Sequence, residues 1–232
     1  MTRPKALLSW SSGKDAAWTL HMLRCADEVE VVGLLTTTNE SFNRVAMHGV
    51  REALLEAQAE ATGLPLWKVP LPWPCSNEAY EVRMAQTCAL AVANGIEAMA
   101  FGDLFLEDVR EYRIQKLAGS GLTPLFPIWN PDTASLARDM VATGLKATLV
   151  CVDPRGLDAT FAGRDFDAVL LADLPSTVDP CGERGEFHTF AWDGPMFRHP
   201  VPIRHGEVVE RDGFIFADLL PAGARTSPKG PC

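Results

Sequence analysis

The chain has 232 residues, 47% of them apolar and 22% charged, with a formal net charge of −9. Those figures predict one large or two small folded domains able to bury a core. They also argue against a nucleic-acid partner, because binding to a phosphate backbone selects basic patches. No apolar run approaches the roughly 20 residues of a membrane span. The apolar stretch after the opening Met-Thr-Arg-Pro-Lys is too short for a secretion signal, so a cytoplasmic protein with no membrane partner is expected. Six cysteines form no C-x-x-C pair and have no histidine at zinc spacing, which predicts reduced thiols and no metal centre of that kind.

In chain order, Lys5–Trp10 reads as a buried strand, followed by a Ser/Gly turn and a helix from about Ala16 to Cys25. Val29–Thr37 is β-branched and predicts a second strand. Residues 46–62 predict an amphipathic helix, with Met47, Val50, Leu54, Ala57 and Ala61 on one face and Gly63-Leu64-Pro65 as the stop. A strand near Leu66–Val69, an alanine-rich helix ending near Gly95, a strand at Ala98–Gly102 and a helix over Leu104–Ala118 follow. This alternation predicts an α/β fold, a parallel sheet with helices on both faces. The second half changes character: a helix capped by Asp132 or Thr133 runs to Gly144, a strand spans Leu145–Val152, and strands and turns dominate after Pro180. The expected domains are 1–122 and 123–232, the second a smaller α/β substrate-binding unit.

Ligands of open parallel sheets bind beyond the carboxyl ends of the strands. The Ser/Gly turn, Thr36-Thr37-Thr38 and Gly102-Asp103 all fall at such ends. The run Trp10-Ser11-Ser12-Gly13-Lys14-Asp15-Ala16 places small residues where backbone N–H groups and a helix N-terminus converge on an anion. Lys14 adds a full positive charge, and Asp15 could orient a metal or cap the helix. The Walker spacing G-x-x-x-x-G-K-[ST] is absent. A capped helix after a tight turn, with Lys14 solvated, is the plainer alternative. His48 and Arg51, one turn apart, are further phosphate candidates, with packing as their alternative.

Two other segments concentrate reactive groups. On a helix over 104–118, Asp103, Glu107 and Arg110 share a face that could hold substrate or stabilise charge. A surface Glu107–Arg110 pair of little energetic weight is the alternative. Asp179–Thr189 brings Glu183, Glu186 and His188 together with glycines, groups able to bind an amine or move protons. In an extended stretch Glu186 and His188 would point to one side; a polar hairpin turn is the alternative. The six tryptophans are spaced irregularly and predict packing, and Cys181 reads as a buried small residue.

The loop Ser11-Ser12-Gly13-Lys14-Asp15-Ala16 resembles the pyrophosphatase loop S-G-G-K-D-S of ATP-cleaving enzymes with a HUP-type fold, with Ser12 for a glycine and Ala16 for the final serine. Phe101–Arg110 resembles the F-G-D-I-x-L-E-x-x-R stretch of the diphthine–ammonia ligase family, and Asp179–Thr189 its late G-E-x-G-E-x-x-T signature. The three segments occur in family order over residues 5 to about 198. The resemblance implies a HUP/Rossmann-like ATP-binding domain and a reaction with ATP and Mg2+. In that reaction a carboxylate attacks the α-phosphorus, pyrophosphate leaves, and ammonia displaces AMP to give an amide. It implies that Ser11, Gly13, Lys14 and Asp15 hold phosphates, flanked by Trp10, Ser12 and Ala16, with Asp15 nearest the metal. Thr36, Thr37, Thr38, Phe101, Gly102 and Asp103 would frame the adenosine. Glu183, Glu186 and His188 would face the acid.

Family members acting on diphthine carry G-E-G-G-E-Y-E-T, where this chain has Arg184, Phe187 and His188. A trimethylammonium group suits aromatic and acidic neighbours better than added Arg and His, so a smaller, anionic acid is expected. The expected partners are a small-molecule or protein-borne carboxylic acid and ammonia, and a homodimer is admitted. Two other readings stay open: an RNA-modifying adenylating enzyme with a related loop, and an adenine-nucleotide-binding module without turnover.

Overall fold

A run of wholly buried residues, Ala6-Leu7-Leu8, makes β1 (Lys5–Ser9) the central strand of the larger sheet. Such a strand is apolar on both faces because both are covered, and here Leu8 faces one core and Leu7 the other. The computed structural model describes residues 2–39, 44–45 and 50–223. On one side of β1 lie β2 (Glu30–Asn39) and then β4 (Leu66–Leu71); on the other lie β5 (Ala98–Ala100) and β6 (Thr123–Leu125). These five strands are parallel, in the order β4-β2-β1-β5-β6. The short β3 (Arg44–Val45) pairs antiparallel with the end of β2. The α/β class is as expected, and β6 continues the sheet beyond residue 122.

The chain leaves β1 in one direction for β2 and β4 and fills the other side with β5 and β6. Strand order therefore reverses between β1 and β5, the place where open α/β sheets leave a crevice beyond their carboxyl ends. Helices α1 (Lys14–Ala26) and α2 (Glu52–Thr62) cover one face. Helices α3 (Asn77–Ala93) and α4 (Glu107–Leu117) cover the other, contributing Cys88, Ala91 and Leu117 to a second core with Leu7, Leu35 and Met99.

The C-terminal half forms a four-stranded antiparallel sheet, β8-β7-β10-β9. Its strands are β7 (Lys146–Val152), β8 (Phe187–Asp193), β9 (Ile203–Arg211) and β10 (Phe214–Pro221), with helices α5 (Thr133–Ala142) and α6 (Ala168–Asp173) beside them. Asp132 caps α5 by accepting the Ser135 N–H at 3.0 Å. The main core runs without a break from Leu8, Leu20 and Leu54 to Leu149, Phe166 and Phe190, so the smaller sheet seals the α1/α2 face of the larger one.

Three expected boundaries shift. The strand read as ending at Thr37 extends to Asn39, placing Thr36, Thr37 and Thr38 inside β2, paired with Lys68, Val69 and Pro70 of β4. The amphipathic helix starts at Glu52, and Arg51 is its extended cap; Met47 and His48 lie outside the described residues. The helix expected from Leu104 starts at Glu107, because the Leu104 N–H donates to Glu183 and its carbonyl accepts from Asn130. Both bonds compete with a helical ladder.

Candidate functional site

The loop between β1 and α1 lies beyond the carboxyl end of the central strand, at the reversal of strand order. Gly13 is the N-cap of α1 and offers no side-chain acceptor, so the first-turn N–H groups remain directed at whatever occupies the loop. A Cβ on Gly13 would meet the Thr189 carbonyl at 3.3 Å, which is why the position carries no side chain. Ser12 has φ +69°, the left-handed region, at the place where the resembling loops have glycine. Its hydroxyl is buried and has no hydrogen-bond partner among the described residues, a polar atom left unpaired.

Lys14 is buried, not solvated. Its Nζ donates to both Asp15 carboxylate oxygens at 2.9 Å and to the Cys181 carbonyl. It also lies 5.6 Å from the ring centroids of Phe166 and Phe187. Burial alone would lower its pKa, but Asp15 and further negative neighbours outweigh that and hold it above the ordinary lysine value. The ammonium is therefore a fixed positive charge beneath the loop.

The loop is also fastened from the C-terminal half. The Lys14 N–H donates to Thr189 Oγ1 at 3.0 Å, and the Ala191 N–H donates to the Ser12 carbonyl at 2.9 Å, both partners lying on β8. Gln58 of α2 completes the fastening. Its Oε1 accepts the Trp10 indole N–H at 2.9 Å, and its Nε2 donates to the carbonyls of Ser12 at 2.9 Å and Ala191 at 2.6 Å. Sequence reading missed Gln58 because a glutamine on an amphipathic helix looks solvated. The available signal is its position, four residues after Leu54 and three before Ala61, on the buried face.

Glu183 reaches this crevice from the 179–189 loop and accepts the Leu104 N–H at 3.1 Å. Burial pushes its carboxyl up to about 7, with Asp15 adding repulsion and the Leu104 bond and Lys14 opposing. His188 is shifted the other way, below the ordinary histidine value, by burial and then by Lys14, with Asp15 opposing. The crevice thus holds a carboxyl poised near neutrality and an imidazole that favours its neutral form. Burial pushes the Cys181 thiol to about 12, which leaves it un-ionised and unsuited to act as a nucleophile.

Other expected residues are placed differently. Glu186 precedes β8 and accepts the Asp179 N–H at 2.9 Å and the Arg184 N–H at 3.0 Å, so its oxygens shape the loop. Asp103 lies outside α4 and forms a two-pronged ion pair with Arg113, at 2.5 and 3.2 Å, so it shares no helix face with Glu107 and Arg110. Glu107 is exposed on the first turn of α4, and Arg110 lies over Phe126 and Trp129. Arg51 forms a two-pronged pair with Asp218 of β10, at 3.1 and 2.6 Å, and so joins α2 to the smaller sheet. Trp10 and Ala16 pack in the main core, and Phe101 is buried between Phe126, at 5.7 Å in stacked geometry, and the Arg113 guanidinium. Ser11 accepts the Gly13 N–H through Oγ at 3.3 Å. A Cβ on Gly102 would meet Thr19 Oγ1 at 3.0 Å and the Asp15 backbone at 3.1 Å, so the loop after β5 packs directly on the start of α1.

Among the described residues no three His, Cys, Asp or Glu side chains group to hold a metal ion, and Asp15 is already engaged by Lys14. No helix among them is long and apolar enough to cross a membrane. Comparison with known proteins matches the chain to one family. The diphthamide synthase N-terminal domain matches residues 4–122, and the diphthamide synthase C-terminal domain matches residues 132–216. A protein of Schizosaccharomyces pombe named diphthine–ammonia ligase is 25% identical over 219 residues, 86% of this chain but 36% of that longer protein. The protein of that name from Bos taurus is 24% identical over 233 residues, covering 90% of this chain and 86% of its own length. The one from Danio rerio is 25% identical over 232 residues, covering 90% of each. With both halves matched in order, this chain belongs to the diphthamide synthase family.

Proposed function

We propose that this protein is an ATP-dependent ligase that adenylates a carboxylic acid, releases pyrophosphate and converts the acid to an amide with ammonia. The observation that supports this most directly is the loop Ser11–Asp15. A buried, charged Lys14, an unpaired Ser12 hydroxyl and the open N-terminus of α1 converge where the strand order reverses, and Glu183 arrives beside them from the C-terminal half. These groups fit a polyphosphate: a fixed cation, unsatisfied donors and close backbone approach at Gly13. They do not form a metal cage, so no step is assigned to a metal ion.

In this reading the acid's carboxylate oxygen bonds to the α-phosphorus of ATP, and the bond from that phosphorus to the bridging oxygen breaks with pyrophosphate leaving. Lys14 stabilises the negative charge gathering on the departing phosphates. Ammonia then attacks the acyl carbon, the carbon–oxygen bond to AMP breaks, and the nitrogen loses a proton. Glu183 is suited to take that proton, because its carboxyl titrates near 7 and so is substantially ionised at neutral pH. His188, neutral nearby, is the second candidate for proton transfer.

Pyrophosphate release from ATP, measured with ammonium and a panel of carboxylic acids, tests this function. Acid-dependent release is expected in the native protein. In Lys14→Met, which keeps the stem between Phe166 and Phe187 but removes the charge, release should fall by about 100-fold or more. ATP binding without acid-stimulated release from any member of the panel would overturn the ligase assignment.

A further inference from the structure

A side chain at position 13 would meet the Thr189 carbonyl at 3.3 Å, which favours glycine there. Glycine, however, leaves the peptide plane between Ser12 and Gly13 free to turn over. Turning it would carry φ of Gly13 from −84° to positive values, which glycine adopts readily. In a trans peptide the carbonyl and the N–H of one plane point in opposite directions. One orientation therefore offers a ligand in the loop the Gly13 N–H, and the other offers it the Ser12 carbonyl oxygen. The first suits a phosphate and the second repels one.

The choice between them is made by residues far away in sequence. The Ser12 carbonyl accepts from Gln58 Nε2 at 2.9 Å and from the Ala191 N–H at 2.9 Å. With its oxygen so held, the plane directs the Gly13 N–H to the opposite side. There its partner among the described residues is Ser11 Oγ at 3.3 Å, longer than an ordinary N–H···O bond. The adjacent Lys14 N–H is already taken by Thr189 Oγ1 at 3.0 Å. Gly13 thus carries a loosely satisfied amide at the head of α1.

Gln58 is matched to this task at every polar atom. It is fully buried. A primary amide has two donor hydrogens and one acceptor oxygen. Here Nε2 donates to the Ser12 carbonyl at 2.9 Å and the Ala191 carbonyl at 2.6 Å, and Oε1 accepts the Trp10 indole N–H at 2.9 Å. The indole can only donate and the carbonyls only accept, which fixes the amide one way round. An ionised glutamate would have no donor for either carbonyl, and a lysine or arginine would have no acceptor for the indole. Because Ala191 also donates to Ser12, the bonds close a ring that joins α2, the loop and β8.

We propose that Gln58 is a positioning residue. By holding the Ser12 carbonyl on its own side, it keeps the Gly13 N–H turned towards the phosphates that leave as pyrophosphate. That those phosphates lie at the loop rests on the ligase reading; the direction of the peptide plane rests on the bonds made by Gln58 and Ala191.

Inorganic pyrophosphate is the probe, its dissociation constant measured by calorimetry at a temperature where circular dichroism shows each protein folded. Gln58→Met keeps the length of the side chain and removes both ends of the amide. Gln58→Glu keeps the acceptor for Trp10 and removes the donors, so one variant remains if the other fails to fold. Leu54→Ala, one turn earlier on α2 and equally buried, is the control for lost stability alone. Both Gln58 variants should bind pyrophosphate about ten-fold more weakly, and Leu54→Ala should stay within about two-fold of the native protein. A second readout uses the native chain. Serine–glycine pairs occur at 12–13 and 120–121, so labelling serine carbonyls with carbon-13 and glycine nitrogens with nitrogen-15 selects two amide signals. Pyrophosphate should move the Gly13 amide proton downfield and leave Gly121 in place. Unchanged affinity in the Gln58 variants, equal weakening in Leu54→Ala, or a Gly13 signal that stays still while pyrophosphate binds would overturn the positioning role and leave the ligase reading standing. Binding of pyrophosphate that depends on Gln58, without acid-stimulated release from ATP, would end the ligase reading and leave the positioning role intact. If the native protein binds neither pyrophosphate nor ATP, both fall.

Discussion

On one face of the parallel sheet, α1 and α2 are clamped under the C-terminal sheet. On the other, α3 and α4 cover the strands with little behind them. α1 buries seven of its 13 residues, including Lys14 and Thr19. Of the 17 residues of α3 only Cys88 and Ala91 are buried, while Val82, Leu90 and Val92 are exposed. A groove of about 670 Å³ runs between α3 and α4, floored by Met99 and Phe101 and bridged by a Lys116–Glu81 ion pair at 2.6 Å. This concavity is thus on the looser face, and the groups able to do chemistry are on the tighter one. Preorganisation accounts for the difference: charges and donors must be held before substrate arrives, and only the α1/α2 face has a second layer to hold them.

The sharpest way to break that comparison is to cut the polar link at the centre of the tight face. Gln58→Leu leaves the Trp10 indole N–H and the Ser12 and Ala191 carbonyls short of a partner in a buried site. Urea denaturation should show a loss of about 3–5 kcal/mol, and a loss under 1 kcal/mol would mean that water or repacking takes over.

Next comes the charge balance of the crevice. The folded pKa of Glu183, about 7, lies above its ordinary 4.5. The native state therefore binds more protons than the unfolded state between those values, and stability from the protonated carboxyl is lost as pH rises through 7. After allowance for solvent screening at this half-buried position, the native protein should lose about 1–3 kcal/mol relative to Glu183→Gln between pH 5 and pH 8. His188 acts in the opposite sense, since its depressed pKa withdraws stability as pH falls below the ordinary histidine range. Equal pH dependence in the native protein and Glu183→Gln would remove Glu183 from the proton-transfer assignment.

A smaller effect is expected at Ser12. Relief of its left-handed backbone and of its unpaired hydroxyl should make Ser12→Gly more stable by about 1 kcal/mol, read as a rise in melting temperature. If the variant is also as active as the native protein, the hydroxyl is not a phosphate ligand. The smallest effect belongs to the loose face, where Val82→Lys should shift stability by no more than about 0.5 kcal/mol. A large loss there would mean that α3 is held more tightly than its exposure indicates.

Much of the sheet was readable before the structure, because its strands are short apolar runs between turns, and Ala6-Leu7-Leu8 admits hardly any other reading. The place of the Ser-Ser-Gly-Lys-Asp loop, between a buried strand and a helix N-terminus, was readable too, since it is set by neighbouring residues. What escaped the sequence depends on distant partners. Arg51 looked like a phosphate ligand until Asp218, on the last strand, claimed it. Asp103 looked aligned with Glu107 and Arg110 until Glu183 and Asn130 took the backbone of its neighbour Leu104 and the helix began later. Glu186 looked free to face the acid until the N–H groups of Asp179 and Arg184 engaged both of its oxygens. Periodicity describes local geometry, whereas these roles were set by tertiary bonds between residues far apart in sequence.

The bonds from Thr189 and Ala191 to the loop have a consequence for how the chain can be divided. A fragment ending after β6 would contain the whole Ser11–Asp15 loop and every strand of the parallel set. It would lack the acceptor for the Lys14 N–H, one of the two donors to the Ser12 carbonyl and the Cys181 carbonyl that receives Lys14 Nζ. Its lysine would be free to swing into solvent, and its Ser12 would have little reason to keep a disfavoured backbone angle. The motif is written in the first few residues of the chain, but its working shape belongs to both halves together, so neither half can be expected to bind nucleotide when expressed alone.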